Sequence, residues 1–278
     1  RLPNPVGTAA PRRLDGSLHV AVNATLPGVD LGRAAVSTNS TVTLGQLRRS
    51  DEALEDYVDR RLEQAELLVL PNRSLVYKFA KRGVDLLGGL ALLVVAAPML
   101  VVLAILIRLD SPGPALFRQE RVTRGGRTFR FYKFRTMYSD ARVRFPELYD
   151  YDFSDADFAE SFYKLADDPR NTRVGRWLRR TTLDELPNLF NVVRGDLSLV
   201  GPRPDLPELI QFYRPEELAC LFTKAGVTGL AQVAGRSLLT VRQRLTLDVR
   251  YVAHQTLLLD LRIMWRTMLV VLVGKGAF

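Results

Sequence analysis

The chain has 278 residues, 47% of them hydrophobic and 25% charged, which suits a folded core and is too apolar for a disordered polymer. Its 39 Lys and Arg against 30 Asp and Glu leave a net charge of +9. Such a surplus implies an anionic partner: nucleic acid, a phosphorylated small molecule or an acidic membrane face. A single cysteine, Cys220, and two distant histidines, His19 and His254, exclude a disulfide scaffold and a Cys/His zinc module.

The first 75 residues form a mixed, polar zone. The chain begins at Arg1 without an initiator Met, in a Pro/Gly/Ala-rich stretch, so we expect a trimmed or incomplete N-terminus. Residues 17–26 alternate as a short strand does. From residue 44 onward, apolar residues recur at helical steps between charged ones, which predicts an amphipathic helix. We predict a partly ordered accessory region over 1–75, with this helix as a candidate homodimer contact.

An uncharged apolar run covers residues 86–107. A straight helix of that length would reach about 33 Å, enough to cross a hydrocarbon core of about 30 Å. Pro98 removes one backbone hydrogen bond near its middle and predicts a kink. Basic residues flank both ends, so the positive-inside rule gives no preferred direction. These features predict a re-entrant helical hairpin over 76–109 broken at Pro98, and they also fit a kinked full span.

Residues 110–278 read as a soluble domain with a basic beginning. Gly125 and Gly126 predict a turn before a strand-like run at 128–134. Near the C-terminus, apolar residues 257–273 are interrupted by charges, which suits a helix lying among lipid headgroups with Trp265 at the boundary. The predicted fold is α+β and mainly helical: a membrane-associated (monotopic) domain with a Pro-kinked re-entrant helix and interfacial amphipathic helices.

Four short blocks stand out in residues 133–137 (KFRTM), 178–187 (LRRTTLDELP), 195–204 (GDLSLVGPRP) and 247–251 (LDVRY). In this order, after a Pro-broken apolar segment, they resemble the monotopic polyprenyl-phosphate phosphoglycosyl transferases, which are bacterial sugar transferases. Members of that family move a sugar 1-phosphate from a UDP-sugar to a polyprenol phosphate such as undecaprenyl phosphate, and release UMP. The resemblance covers about residues 78–278. It leaves open whether a larger N-terminal membrane domain was once attached.

The resemblance implies the same activity in residues 110–278, on the cytoplasmic face of the bacterial inner (plasma) membrane. There it would be the first membrane step of polysaccharide or glycoconjugate assembly. Its implied partners are a UDP-sugar, polyprenol phosphate and membrane lipids.

Asp184 and Glu185 are the candidate catalytic residues. Adjacent residues on a helix project about 100° apart, so the two carboxylates suit different roles, such as a nucleophile and a metal ligand. A carboxylate that attacks phosphorus forms an acyl phosphate, and Mg²⁺ held by carboxylate oxygen offsets diphosphate charge. The resemblance assigns the nucleophile to Asp184 and Mg²⁺ binding to Glu185. The alternative is a capping box, in which Thr182 and Glu185 satisfy the N-terminus of a helix.

Several further residues are candidates for substrate binding. Lys133 and Arg135 lie on one side of the predicted strand, able to meet one anion; a basic surface patch is the alternative. Arg179 could add a phosphate-binding fork, and the stiff turn 201–204 presents Arg203 to a nucleotide. Asp248 and Asp260 are candidates for a supporting role, although each alone is more often an ion-paired acid. Asp168, before Pro169, reads better as part of a turn than as a metal ligand.

Two other functions compete with this interpretation. An ordinary membrane-associated glycosyltransferase would also bind a UDP-sugar but would release UDP without a covalent intermediate. A basic membrane-surface scaffold or nucleic-acid binder would need no catalytic acids. We see neither an RNA-binding aromatic signature nor a DNA-binding helix pair, so we predict no nucleic-acid partner. The identity of the sugar depends on pocket shape, which no local motif encodes.

Overall fold

The computed structural model describes residues 73–149, 158–159, 168–235 and 238–273. The accessory region predicted for the first 75 residues, with its strand and amphipathic helix, lies almost wholly outside these residues. The described part is mainly helical and contains two small two-stranded sheets. This confirms the predicted mixture of helices with a few strands.

The longest element is helix α1, Leu75–Asp110, which has 36 residues. It begins at Ser74, whose Oγ accepts a hydrogen bond from the Tyr77 amide at 3.2 Å. It is the one helix in the described residues that is long and apolar enough to cross a membrane. The helix continues through Pro98 without a break. The two arms of the predicted hairpin are therefore parts of one helix.

The remaining elements follow in a compact order. The strands are β1 Leu116–Val122, β2 Thr128–Phe134, β3 Ser198–Val200 and β4 Gly226–Thr228. The α-helices after α1 are α2 Ala141–Arg144, α3 Arg173–Thr181, α4 Leu189–Arg194, α5 Leu230–Ala234, α6 Val241–His254 and α7 Leu257–Val273. Short 3₁₀ helices cover Arg124–Gly126, Pro146–Tyr149, Leu183–Asn188, Pro207–Phe212 and Pro215–Phe222.

Strands β1 and β2 form an antiparallel hairpin, paired from Leu116 opposite Phe134 to Val122 opposite Thr128. The turn between them contains Gly125 at φ 72° and Gly126 at φ 77°, a conformation that glycine adopts without steric cost. The strand predicted at 128–134 is thus confirmed to the residue.

Strands β3 and β4 pair in parallel. Directly after β3, the chain enters the turn formed by residues 201–204. The Gly201 amide donates to the Thr228 carbonyl at 2.9 Å, and the Gly226 amide donates to the Pro202 carbonyl at 2.8 Å. A Cβ atom on Gly201 would lie 2.4 Å from the Lys224 carbonyl oxygen. Only glycine permits this approach, which fixes the turn against β4.

One face of α1 packs along its length on the rest of the described domain. Near its middle, Ala96 joins a buried cluster with Phe129, Phe131 and Ile263. Closer to its C-terminus, α1 contributes to a second cluster that contains Leu103, Ile107, Phe134 and Leu178. Burial of this kind is the main favourable contribution to helix docking.

Polar contacts hold both ends of α1 to the same domain. Near the N-terminus, the buried Asp85 carboxylate accepts hydrogen bonds from Ser198 Oγ and the Leu199 amide, each at 2.9 Å. At the C-terminus, Asp110 Oδ2 accepts a hydrogen bond from the Val174 amide at 3.0 Å. The two ends of the apolar segment are therefore anchored to one folded unit.

The opposite face of α1 is apolar and exposed. Its exposed side chains include Leu87, Leu90, Val94, Val95, Val101, Val102, Ile105 and Leu109. Helix α7 shows the same property, with Leu258, Leu261, Trp265, Met268 and Leu269 exposed beside the exposed Arg262 and Arg266. Contiguous exposed apolar surfaces such as these two mark contact with a membrane or another protein.

Candidate active site

Asp184 and Glu185 lie in the 3₁₀ turn Leu183–Asn188, directly after helix α3. The two helices meet at Thr182, which adopts a left-handed conformation with φ 64°. An N-cap residue is normally extended, so the capping-box alternative does not describe this turn. The left-handed residue instead reverses the chain and brings the two acids against β2.

Two fully buried asparagines hold this turn in place. Asn188 Oδ1 accepts hydrogen bonds from the Tyr132 amide and from Asn191 Nδ2, each at 3.1 Å, and Asn191 Nδ2 also donates to the Arg130 carbonyl at 3.0 Å. The sequence analysis missed both residues. Their three-residue spacing after Pro187 was the available signal, since it places two amides on one side of a helical turn.

Lys133, near the end of β2, is half-buried, and its electrostatic neighbours include the carboxylates of Asp184 and Glu185. Burial lowers the pKa of Lys133 from 10.5 to about 8; Arg121 and Arg179 act in the same direction, while the two acids oppose the shift. A partly desolvated cation interacts more strongly with anions than a fully hydrated one, so this ammonium is suited to phosphate binding.

Arg179 points inward from α3 and is only 8% exposed. Its Nη1 atom lies 3.4 Å from Asn171 Oδ1 and 4.0 Å from Asp168 Oδ2. Burial lowers the pKa of Arg179, and the charges of Asp168 and Asp184 oppose that change. Asp168 is itself held by two hydrogen bonds of 2.8 Å from the Arg170 guanidinium, which agrees with its interpretation as part of a turn.

Arg203 makes a two-pronged ion pair with Glu185. The Nη2–Oε1 distance is 2.7 Å and the Nη1–Oε2 distance is 3.4 Å. Both side chains keep some exposure to solvent, 25% for Arg203 and 12% for Glu185. The structure thus gathers five of the predicted residues, which we call the site cluster: Lys133, Arg179, Asp184, Glu185 and Arg203.

Arg135 is placed elsewhere. Its guanidinium donates to the Pro112 carbonyl at 2.7 Å, to the Ser111 carbonyl at 2.6 Å and to Ser111 Oγ at 3.0 Å. A longer bond of 3.4 Å reaches the Ile107 carbonyl. The residue therefore caps the C-terminus of α1, where carbonyl groups lack partners within the helix. The structure does not bring Arg135 to Asp184.

Asp248 lies behind Arg203 in what we call the buried cluster: Asp205, Arg244 and Asp248. Arg244 pairs with Asp248 at 3.0 Å and with Asp205, and its Nη1 atom lies 3.5 Å from the Arg203 carbonyl oxygen. Burial raises the pKa of Asp248 from 3.8 to about 7; Arg244 lowers it and Asp205 raises it further. Asp248 is thus fully buried and supports the turn that carries Arg203 through Arg244.

Asp260 is part of a separate polar network. Its carboxylate accepts hydrogen bonds from Lys81 Nζ at 2.8 Å and from the Tyr251 hydroxyl at 2.7 Å, and Lys81 Nζ also donates to the Val200 carbonyl at 3.0 Å. This network ties the beginning of α1 to β3, α6 and α7. The structure does not bring Asp260 to the site cluster.

Glu185 is the predicted Mg²⁺ ligand, and it lies near Lys133 and Arg203. Among the described residues, no group of three or more His, Cys, Asp or Glu side chains could hold a metal ion. Mg²⁺ is commonly held by one or two carboxylates together with substrate phosphates. Glu185 already pairs with a cation, the Arg203 guanidinium, so its carboxylate is suitably placed to take such an ion with a diphosphate.

Comparison with known proteins places the chain among sugar transferases. The family described as bacterial sugar transferase matches residues 76–274. An undecaprenyl-phosphate galactose phosphotransferase of Salmonella typhimurium is 40% identical over 202 residues, which are 72% of this chain and 42% of that protein. A UDP-glucose:undecaprenyl-phosphate glucose-1-phosphate transferase of Caulobacter vibrioides is 39% identical over 206 residues, or 71% of this chain and 72% of that protein.

A third relative, an undecaprenyl-phosphate glucose phosphotransferase of Komagataeibacter xylinus, is 39% identical over 209 residues, covering 71% of this chain and 37% of that protein. The match thus spans less than half the length of the Salmonella and Komagataeibacter relatives. The family match over residues 76–274 includes all of α1 except Leu75, and every member of the site cluster. The chain belongs to the bacterial sugar transferase family.

Proposed function

We propose that this chain transfers a sugar 1-phosphate from a UDP-sugar to polyprenol phosphate and releases UMP, on the cytoplasmic face of the bacterial inner membrane. The observation that carries the proposal is the site cluster itself: a buried carboxylate, Asp184, beside three cations and a second acid that pairs with a cation. The names of the relatives, which are undecaprenyl-phosphate sugar phosphotransferases, support the same acceptor.

In the proposed first step, an Asp184 carboxylate oxygen attacks the sugar-bearing phosphorus. A carboxylate–phosphorus bond forms, the bond to the bridging oxygen breaks, and UMP leaves with that oxygen and its electron pair. Lys133 and Arg179 offset the negative charge on the phosphate oxygens. Arg203 can donate its guanidinium fork to the diphosphate when it is no longer occupied by Glu185.

In the second step, an oxygen of polyprenol phosphate attacks the same phosphorus and Asp184 leaves as a free carboxylate. The product is a sugar joined to polyprenol through a diphosphate. Glu185 would hold Mg²⁺, which neutralises part of the diphosphate charge when bound. Because the nucleotide part of the donor leaves as UMP before the lipid reacts, the soluble donor and the membrane acceptor need not occupy the site together.

We propose that α1 enters and leaves the membrane on one side, with its direction changed at Pro98. Asp85 and Asp110, at the two ends of the apolar segment, bind one domain, which would be difficult if a bilayer separated them. The exposed apolar face of α7, with Trp265 and its arginines, suits a position among the headgroups.

Labelling of single cysteines at Lys78 and Arg118 tests this topology, in a background where the buried Cys220 is changed to alanine. Both residues are exposed, and one lies before and the other after the apolar segment. We expect both to react from the cytoplasmic side only. Reaction from opposite sides would show a full span.

The activity itself is tested by product analysis. Purified protein in lipid nanodiscs is given a panel of UDP-sugars, with and without polyprenol phosphate, and released nucleotides are separated. We expect UMP with at least one donor, with lipid-dependent turnover and loss in excess chelator. Release of UDP would identify an ordinary glycosyltransferase, and the absence of lipid-dependent turnover with every donor would favour a membrane-surface scaffold.

A further inference from the structure

The outward face of helix α3 carries a stripe that the proposed chemistry does not use. Arg173, Arg176, Trp177 and Arg180 are all exposed, with Trp177 at 47%. Their spacing of three, four and seven residues places them on one side of the helix. No acidic residue lies in α3. We call these four side chains the basic-aromatic face of α3.

The inward side of the same helix has a different composition. Val174 and Leu178 pack with Leu103 and Ile107 of α1, and Arg179 is buried beside the site cluster. The four arginines of helix α3 therefore lie on two sides: one faces the proposed nucleophile and three face away from the domain. Packing within the domain explains the first of these orientations. Among the other three, Arg176 makes one long hydrogen bond of 3.4 Å to the Asn171 carbonyl, which does not account for three exposed cations on one face.

The position of α3 indicates what the outward arginines meet. The Asp110 carboxylate binds the Val174 amide, so α3 begins where α1 ends. The last turn of α1 still exposes Leu106 and Leu109, followed closely by the polar residues Asp110 and Ser111. A chain that passes from apolar to charged residues in this way leaves the hydrocarbon at the depth of the headgroups. On the proposed membrane association, helix α3 therefore starts at that depth.

We infer that the basic-aromatic face of α3 docks on anionic phospholipid headgroups of the bilayer. The inference rests on the proposed membrane association. Guanidinium groups form paired hydrogen bonds with phosphate oxygens, and an indole ring favours the membrane–water boundary. The α3 helix ends at Thr181, three residues before Asp184. Docking this face would hold the proposed nucleophile at the level of the acceptor phosphate.

The two tryptophans of the chain allow a direct test. The Trp265→Phe variant leaves Trp177 as the sole indole. This variant is placed in nanodiscs of phosphatidylcholine alone or mixed with phosphatidylglycerol, with bromine on the acyl chains next to the headgroup as a quencher. We expect Trp177 fluorescence to be quenched several-fold more in the discs that contain phosphatidylglycerol.

A second variant removes the charge of the face: Arg173→Gln, Arg176→Gln and Arg180→Gln, combined with Trp265→Phe. We expect it to lose the dependence on phosphatidylglycerol. The matched control changes three exposed arginines elsewhere, Arg124, Arg142 and Arg144, and should keep that dependence.

Equal quenching in both lipids, or no quenching in either, would overturn the inference even if UMP release is normal. An increase produced only by adding polyprenol phosphate to phosphatidylcholine discs would also overturn it, because the face would then bind the acceptor and not the bilayer. Absence of UMP release with headgroup-dependent quenching intact would count against the proposed function alone.

Discussion

The site cluster and the buried cluster both combine acidic with basic side chains but differ in exposure and in charge balance. The site cluster contains three cations and two acids, and Arg203 and Glu185 keep contact with solvent. The buried cluster contains one cation and two acids, and its side chains are at most 5% exposed. The two meet at Arg203, whose side chain belongs to the first and whose carbonyl oxygen touches the second.

The difference separates binding from positioning. An open cluster with excess positive charge can accept a diphosphate and gains from it. A sealed cluster cannot admit a ligand, and its charges must be balanced internally. Because burial raises the pKa of Asp248 to about 7, protonation of this acid leaves Arg244 and Asp205 as a neutral pair. We therefore expect substitutions in the buried cluster to affect stability and those in the site cluster to affect turnover.

The largest effect is expected from Arg244→Gln. It would remove the cation that pairs with the buried Asp205 carboxylate, and breaking a buried pair in this way typically costs about 3–5 kcal/mol of unfolding free energy. Denaturant titration in detergent micelles measures the change. The control is Arg144→Gln, because Arg144 forms an exposed ion pair with Asp140 that is worth about 0–1 kcal/mol. Equal losses in the two variants would show that the buried cluster has no special role.

Lys133→Gln should have the opposite profile. Removing one preorganised positive group beside the reacting phosphate typically lowers kcat about 100- to 1,000-fold. The unfolding free energy should hold or rise, because the variant no longer buries a cation. Arg118→Gln on the neighbouring strand is the control, since Arg118 is exposed. Normal turnover in the Lys133 variant would remove this residue from the site.

Arg135→Lys tests the reassignment of Arg135. A single ammonium cannot reach all the oxygens that the guanidinium meets at the end of α1, so we expect a loss of about 1–3 kcal/mol in unfolding free energy. The KM for the UDP-sugar should not change in the folded fraction. An increased KM with unaltered stability would instead place Arg135 on the substrate.

The last prediction concerns pH, and its effect is the smallest when counted per pH unit. Asp248 holds its proton to about pH 7 in the folded protein, whereas an unfolded Asp releases it near 3.8. Between these values the folded state binds more protons, so stability falls as pH rises through this window. The asparagine in Asp248→Asn cannot titrate, so the unfolding free energy should decrease less steeply with pH, by up to about 1.4 kcal/mol per pH unit. Thermal unfolding midpoints at several pH values measure the slope, and identical slopes would contradict the assignment.

The sequence predicted the elements that local patterns determine. The two glycines and the alternating residues after them predicted the turn and strand β2, and the uncharged apolar run predicted the helical segment that lies within α1. The adjacent acids and the LRRTTLDELP block pointed to the turn in which the structure brings Asp184 and Glu185 near Lys133 and Glu185 to Arg203. Alternation shows which side of a strand a side chain leaves, but not where a long side chain ends. Lys133 and Arg135 therefore pointed the same way in the sequence and reach different targets.

Other features depended on contacts between distant parts of the chain. Asp260 meets Lys81 across 179 residues, and Asp248 lies beneath a turn formed about 45 residues earlier, a separation that no local pattern encodes. The roles of Asn188 and Asn191 also appear only when β2 lies alongside them. The left-handed Thr182 could not be foreseen, because a threonine at positive φ is rare.

The central claim is that Asp184 becomes covalently attached to the phosphosugar. The most direct measurement uses a UDP-sugar radiolabelled in the phosphate next to the sugar, incubated with wild type and with Asp184→Asn in the absence of polyprenol phosphate. We expect label on denatured wild-type protein, its release on addition of polyprenol phosphate, and none on the variant. Equal labelling of both proteins would contradict the account, as would unlabelled wild-type protein that turns over with sequential kinetics.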